Sequence, residues 1–199
     1  MLTSFVGIIA AGQFYCLILL ILIDIGIYSE VISLKRRKDK DKDIPFSLAL
    51  NWYFFAVGCF FFYGKFLGSR LSRGAMSNSY IQFFAKYHSF HCFNLWILGF
   101  LLFVLCLKKG FYRYQFRQFG WSHLTILMVV AQTAAIAENL YEGMIWFVVP
   151  CILVIANDIF AYIFGKLFGR TKLIELSPNK TWEGFFGGFI STMIIGYLV

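Results

Sequence analysis

The residue with the clearest chemical signal is Asp158, a carboxylate within a long apolar segment. It follows the apolar run 145–156 and precedes the sequence Ile-Phe-Ala-Tyr-Ile at 159–163. At about 1.5 Å per helical residue it lies roughly 20 Å along its span, too deep for its short side chain to reach the headgroups. At that depth a carboxylate is either half of a buried ion pair or part of a functional cavity that holds a cation. Helical spacing predicts that small and polar residues share its face and let a ligand or helix approach: Ala161, Tyr162, Gly165 and Gly169.

A second polar group is the sequence Ser-Pro-Asn-Lys-Thr-Trp-Glu-Gly at 177–184, just before the last apolar segment. Ser177 followed by Pro178 is typical of a helix start, because serine caps the helix and proline suits its first position. The free N–H groups of a helix N-terminus suit a phosphate. The alternative is a simple capped helix with Trp182 at the membrane interface.

Charged side chains beside this predicted helix start strengthen the phosphate interpretation. Lys180 adds a positive charge, Thr181 a hydroxyl for phosphate or metal, and Arg170 a guanidinium suited to bidentate phosphate binding. Close approach of a neighbour is favoured by three glycines, Gly184, Gly187 and Gly188. The sequence therefore predicts a site for a phosphorylated ligand and a divalent cation. It contains neither a P-loop nor a GxGxxG motif after a strand, which excludes the soluble nucleotide-binding folds.

The amino-acid composition indicates that membrane-spanning helices must position these residues. The 199-residue chain is 60% hydrophobic and only 14% charged, whereas a soluble domain is about 45–50% apolar and about 25% charged. A soluble fold of this size could not bury so much apolar surface. We therefore expect an all-α, polytopic transmembrane bundle that forms a single domain over 1–199. Segments of about 20 apolar residues predict five complete spans and a partial sixth: 5–28, 48–68, 92–107, 121–138, 143–168 and 184–199.

Basic residues orient the predicted spans. Fourteen lie in loops 29–47, 108–120 and 166–183, and four lie on the other side, so the first side is expected to be cytosolic. The net charge of +8 is thus mostly a topology signal, and no nucleic-acid-binding motif accompanies it. The basic run 35–42 is expected to be a solvated loop, with a site for anionic lipid as the alternative.

Further predictions concern polar residues within the spans. Asp24 lies close to the cytosolic end of the first predicted span, where it is expected to reach the headgroups. Gln13, Asn51 and Gln132 are single amides, each expected to join two helices by hydrogen bonds.

Three motifs, taken in order, make the sequence recognisable: Asn157-Asp158-Ile159-Phe160-Ala161-Tyr162, Gly169-Arg170-Thr171, and the stretch 177–188. Together they resemble the eukaryotic phosphatidate cytidylyltransferases, or CDP-diacylglycerol synthases. The likeness continues upstream through Glu142–Phe147, Phe119–His123 and Asn51–Phe54, and so covers most of the chain.

The resemblance implies an activity, a cofactor and a location. Such an enzyme transfers CMP from CTP to phosphatidate, with Mg²⁺, and forms CDP-diacylglycerol and pyrophosphate in the endoplasmic reticulum membrane, with the motif loop on the cytosolic side. Its expected partners are these substrates and membrane lipids, and a homodimer is left open. Asp158 and Lys180 would be catalytic, Asp158 as the metal ligand, and Arg170 would clamp phosphate. The remaining substrate contacts would come from Ser177, Asn179, Thr181, Glu183 and Gly184.

Two departures from the family pattern affect this interpretation. The family usually has Ser-Pro-Lys-Lys-Thr, whereas Asn179 here removes one positive charge. The family's downstream elements, His-Gly-Gly and Asp-Arg-x-Asp, do not occur before Val199, so the expected chain is a fragment, short isoform or incomplete gene product. Two alternatives are a non-catalytic membrane partner of the enzyme and a transporter of an anionic substrate. Inverted repeats, which would favour a transporter, are not visible.

Overall fold

The structure is a computed structural model that describes residues 2–35, 44, 46–73, 79–175 and 177–199. Most of the basic segment 35–42, on which the orientation partly depends, lies outside these residues. The described chain is almost entirely helical, and five helices are long and apolar enough to cross a membrane. The predicted all-α polytopic fold is therefore confirmed.

Eight helices and two short strands make up the described chain. The helices are α1 (Leu2–Ala11), α2 (Gln13–Lys35), α3 (Ser47–Arg73), α4 (Ser79–Lys86), α5 (His88–Leu105), α6 (Tyr112–Glu142), α7 (Met144–Phe168) and α8 (Trp182–Leu198). The strands are β1 (Lys172–Ile174) and β2 (Ser177–Thr181). The five candidate spans lie in α2, α3, α5, α6 and α7.

Two helices differ from the spans expected by hydropathy. The first expected span, 5–28, is interrupted at Gly12, whose φ of +110° is a conformation that glycine adopts easily. The helix restarts at Gln13 and continues to Lys35. The fourth expected span, 121–138, is the apolar part of the longer α6, which also contains a π-helical turn at Ile126–Val130.

The chain forms two compact units, Met1–Glu138 and Asn139–Val199. In the first unit α3 packs against α4, α5 and α6, and α2 packs against α6. Part of the core is an aromatic cluster in which Tyr28 stacks on Phe55 with ring centroids 4.4 Å apart and contacts Trp52 edge-on. The burial of these large rings holds α2 against α3.

A buried polar cluster in the first unit corrects the expectation for Asp24. Its side chain is fully buried, at the middle of the 23-residue α2. The Tyr63 hydroxyl donates to Asp24 Oδ2 at 2.8 Å, and the Thr133 hydroxyl lies 2.7 Å from the same oxygen and 2.9 Å from Oδ1. Asp24 therefore joins α2, α3 and α6, and the prediction that it reaches the headgroups is wrong because α2 starts later and ends later than the hydropathy suggested.

Asn51 confirms its predicted role, and Gln132 does not. The Ser122 hydroxyl donates to Asn51 Oδ1 at 2.8 Å, and the Tyr28 hydroxyl donates to the Asn51 carbonyl at 2.7 Å. Asn51 thus links α3 to both α6 and α2. The side chain of Gln132 is exposed. Ser122 and Thr133 provide the hydrogen bonds that α6 makes with these helices.

The second unit is an antiparallel helix pair, α7 and α8, joined by a β-hairpin. Lys172 pairs with Thr181 and Ile174 with Ser177 in the hairpin. Glycines allow the helices to come close: a Cβ on Gly184 would lie 2.7 Å from the Ala161 carbonyl oxygen. A Cβ on Gly188 would lie 2.9 Å from the Ala161 Cβ. The predicted role of these glycines in close helix packing is confirmed.

Candidate functional site

The segment 177–184 begins as a strand, so the predicted helix start at Ser177 is wrong. Residues Ser177–Thr181 form β2, and α8 begins only at Trp182. The fixed φ of a proline suits an extended chain as well as a first helical turn, and the pairing with β1 selects the strand. Thr181 is the true N-cap, because its hydroxyl accepts from the Gly184 N–H at 3.2 Å. Threonine three residues before Gly184 was the sequence signal for this cap.

The first-turn amides of α8 are occupied by groups of the protein itself. The Trp182 N–H donates to the Thr171 carbonyl at 3.1 Å, and the Gly184 N–H donates to Thr181. The Glu183 N–H is hydrogen-bonded to its own carboxylate. The prediction that these N–H groups are free to bind a phosphate is therefore wrong.

Glu183 fixes the turn that carries Arg170. One carboxylate oxygen accepts from the Arg170 N–H at 3.1 Å, and the other accepts from the Thr171 N–H at 3.2 Å and from the Thr171 hydroxyl at 2.8 Å. Hydrogen bonds from its own N–H, from the Thr171 hydroxyl and from the Arg170 and Thr171 N–H groups lower the pKa of Glu183 to about 2. Glu183 is therefore ionised at neutral pH. Its contacts support a positioning role more directly than the substrate contact expected from the motif.

The cationic side chains of the hairpin remain exposed. Arg170 and Glu183 line an open depression of about 460 Å³ together with Leu167, Phe168 and Gly169. Lys180 and Asn179 are exposed on β2, and Ser177 is half-buried. Within the described residues neither Arg170 nor Lys180 makes an ion pair. Both cations are thus available to an anionic ligand from solvent.

Asp158 lies beside the close-packed face of α7 and not on it. That face contacts α8 through residues four apart, Leu153, Asn157, Ala161 and Gly165. Asp158 is exposed, and the side chain of Tyr162 is 68% exposed. The predicted face is therefore wrong for these two residues, because the contact repeat passes through Asn157, about 100° around the helix from Asp158. The alternative of a buried ion pair does not fit the described residues either, because Asp158 is exposed among them.

The described residues offer one carboxylate against which the expectation of a magnesium site can be compared. Asp158 has a free carboxylate, and no group of three His, Cys, Asp or Glu side chains that could hold a metal occurs in the described part of the chain. Magnesium in phosphate chemistry usually takes one or two carboxylates and completes its shell with phosphate oxygens and water. Asp158 therefore fits the role of a single protein ligand.

The fold and this site define a polytopic α-helical membrane protein with an exposed, cationic hairpin between its last two helices. The cytidylyltransferase family model matches residues 1–199, and the chain belongs to this family.

The alignments with curated relatives cover the whole chain. It is 41% identical over 199 residues to a putative phosphatidate cytidylyltransferase of Schizosaccharomyces pombe, and 44% identical over 198 residues to phosphatidate cytidylyltransferase 1 of Rattus norvegicus. It is 40% identical over 203 residues to phosphatidate cytidylyltransferase 1 of Arabidopsis thaliana. These matches cover 100% of this chain but 45%, 43% and 48% of the relatives, respectively. No solved structure matches the chain.

Proposed function

We propose that the chain is a membrane-embedded part of a CTP:phosphatidate cytidylyltransferase that forms CDP-diacylglycerol and pyrophosphate for phospholipid synthesis. The observation that carries the proposal is the hairpin locked by Glu183, which presents Arg170 and Lys180 within a family of cytidylyltransferases. The names of the relatives support phosphatidate as the acceptor and CTP as the donor. Family membership also favours an enzyme over a transporter.

The proposed reaction joins two polyanions, so cations must lower its barrier. An oxygen of the phosphatidate phosphate attacks the α-phosphorus of CTP, and pyrophosphate leaves. Arg170 and Lys180 neutralise phosphate charge on the exposed side of the hairpin, while Ser177, Asn179 and Thr181 lie beside them for polar contacts. Mg²⁺, when bound, supplies further charge neutralisation at the phosphates, and Asp158 is the residue of this chain that would hold it.

The hairpin supplies these cations from a fixed backbone. Glu183 ties the Arg170 turn to the first turn of α8, and Thr181 caps the same turn. Catalysis of phosphoryl transfer depends mainly on positioning and electrostatics, so a preorganised turn is the appropriate support. We propose that the hairpin lies on the cytosolic side of the endoplasmic reticulum membrane, because CTP is a soluble substrate and basic residues are in excess on that side.

The test is kinetic, in an enzyme extended to the length of its relatives and reconstituted with CTP, phosphatidate and Mg²⁺. We expect Lys180→Ala to lose about 2–4 kcal/mol of transition-state stabilisation and Lys180→Arg to recover part of it. Asp158→Asn should sharply reduce turnover and change its Mg²⁺ dependence. Lys172→Ala is the matched control, since this lysine is exposed on the neighbouring strand. Near-normal turnover of Lys180→Ala would reduce the hairpin to a structural connection.

A second experiment tests whether the chain suffices for activity. Because Asp158 is the one well-placed carboxylate in the described second unit, we expect the purified 199-residue chain to make no CDP-diacylglycerol above background. Supplying the further segment of a related enzyme should restore activity, and Asp158→Asn should remove it again. Mg²⁺-dependent product from the chain alone would show that the metal site is complete within it. A chain that raises the activity of a full-length enzyme without activity of its own would instead support the non-catalytic partner.

A further inference from the structure

A cavity of about 420 Å³ lies within the first unit, between α3, α5 and α6. Aromatic rings form much of its wall: Phe54, Phe61, Phe62, Phe93 and Trp96. Its size is that of a ligand pocket and far exceeds the gaps left by ordinary side-chain packing. Phe61, Phe93 and Leu127 also have exposed side chains, so the cavity opens onto the outer surface of the helices.

Three polar side chains in the wall, those of Trp96, His123 and Cys92, already have polar neighbours within the protein. The Trp96 indole N–H donates to His123 Nε2 at 3.1 Å, and His123 Nδ1 lies 2.9 Å from the Phe119 carbonyl oxygen, to which it donates. The sulfur of Cys92 lies 3.4 Å from His88 Nε2. Water needs two to four polar partners in a cavity, and an apolar cavity of this kind stays dry or takes an apolar ligand.

The medium around the cavity determines which apolar ligand is available. All three helices that form it contain candidate membrane spans. If these spans cross a bilayer, an opening on their outer surface would meet its hydrocarbon, where acyl chains take the place of solvent. The side chains that line an empty cavity lack dispersion contacts on one side. An acyl chain that enters the cavity would supply those contacts.

Two backbone features shape the inner wall. A Cβ on Gly58 would lie 2.5 Å from Ile126 Cγ2, so glycine is needed for α3 and α6 to approach closely there. Ile126 and Leu127 belong to the π-helical turn, and both line the cavity. Such turns occur often at functional sites, because they alter the direction of side chains along a helix.

We propose that this cavity binds one acyl chain of a membrane phospholipid. The proposal depends on the cavity and on its position among the candidate spans, and it stands independently of the catalytic activity. The occupant is a general bilayer phospholipid of any headgroup, because the apolar wall would contact only its hydrocarbon.

Photolabelling in nanodiscs tests the proposal with two probes, phosphatidate and phosphatidylcholine, each carrying a diazirine midway along one acyl chain. Cys92 lines the cavity and is only 3% exposed, so lipids that merely surround the helices do not reach it. Leu101, on the same helix, is 53% exposed and reports the surrounding lipid. We expect adducts at Cys92 as well as at Leu101. Labelling by both probes is the result expected of a general bilayer lipid, and labelling by phosphatidate alone would overturn the proposal in favour of a substrate chain.

Matched variants show whether the adducts depend on the cavity. Leu127→Trp fills it and should lower the Cys92 adduct about tenfold, the size expected from overpacking. Met128→Trp is the control. Met128 and Leu127 are similarly exposed, at 59% and 56%, but of the two only Leu127 lines the cavity. Phe93→Ala enlarges the cavity and should raise the adduct. The proposal is overturned if wild-type Cys92 is unlabelled, or if the two tryptophan variants label it equally.

Discussion

The buried cluster of Asp24, Tyr63 and Thr133 gives a stability prediction that the sequence alone would not suggest. Tyr63→Phe removes one donor to Asp24 but leaves both Thr133 contacts, so the loss is about 1 kcal/mol, typical of one buried hydrogen bond. Thr133→Val removes the donor near both oxygens and leaves Oδ1 with no donor among the described residues. An unsatisfied buried acceptor costs about 1–3 kcal/mol, so Thr133→Val should be the more damaging change.

A double-mutant cycle measures whether the hydroxyls act through Asp24. Unfolding free energies would be measured in bicelles for Tyr63→Phe in the wild-type and Asp24→Leu backgrounds. We expect the effect of Tyr63→Phe to fall by about 1 kcal/mol in the second background, because the carboxylate acceptor is gone. Tyr53→Phe is the control, since the Tyr53 hydroxyl donates to the Leu95 carbonyl at 2.7 Å, in a separate contact on α3. Equal effects of Tyr63→Phe in both backgrounds would refute the reasoning.

Three further predictions concern packing, pH and orientation. Gly64→Ala should destabilise the first unit by about 1–2 kcal/mol in thermal unfolding, because its Cβ would lie 2.6 Å from His88 Nε2, which now contacts the Phe60 carbonyl. The depressed pKa of Glu183 means that its contribution is full above about pH 4.5 and is lost as pH falls towards 2. Exchange protection of the Thr171 amide should therefore fall in that window and be weak at every pH in Glu183→Gln. Glycosylation acceptors inserted at 69–89 should be modified in microsomes and those at 35–42 should not; the reverse would overturn the topology.

The sequence predicted the elements more successfully than the directions of their side chains. Long apolar runs indicated the helices, and the glycines of α8 indicated a close partner, because both signals are local. The break at Gly12 was not predicted, since a positive φ in an apolar run leaves hydropathy unchanged. The burial of Asp24 was not predicted for a related reason. The depth of Asp24 in the membrane depends on where α2 begins, and hydropathy does not mark that position because the residues before and after it are both apolar.

The candidate site shows the same limit at the scale of one turn. Ser177-Pro178 is compatible with a helix start and with a strand. Pairing with β1, which begins five residues before Ser177, selects the strand. Glu183 gave no sequence signal of its role, because its partners at Arg170 and Thr171 are brought to it by the hairpin. Asp158 was placed on the contact face because helical spacing fixes which residues share a face but not which face meets the neighbouring helix.

The occupied amides of α8 change how a phosphate can be bound here. A helix N-terminus with free N–H groups holds an anion by fixed dipoles, and such binding depends little on any one side chain. In this hairpin those groups are taken by Thr171, Thr181 and Glu183, and the ionised Glu183 partly cancels the positive end of the helix. Affinity for a phosphate must then come from the exposed cations Arg170 and Lys180, whose charges are screened by salt. Binding of phosphorylated ligands by the hairpin should accordingly weaken with the loss of either cation, whereas an N-terminal dipole site would tolerate that loss.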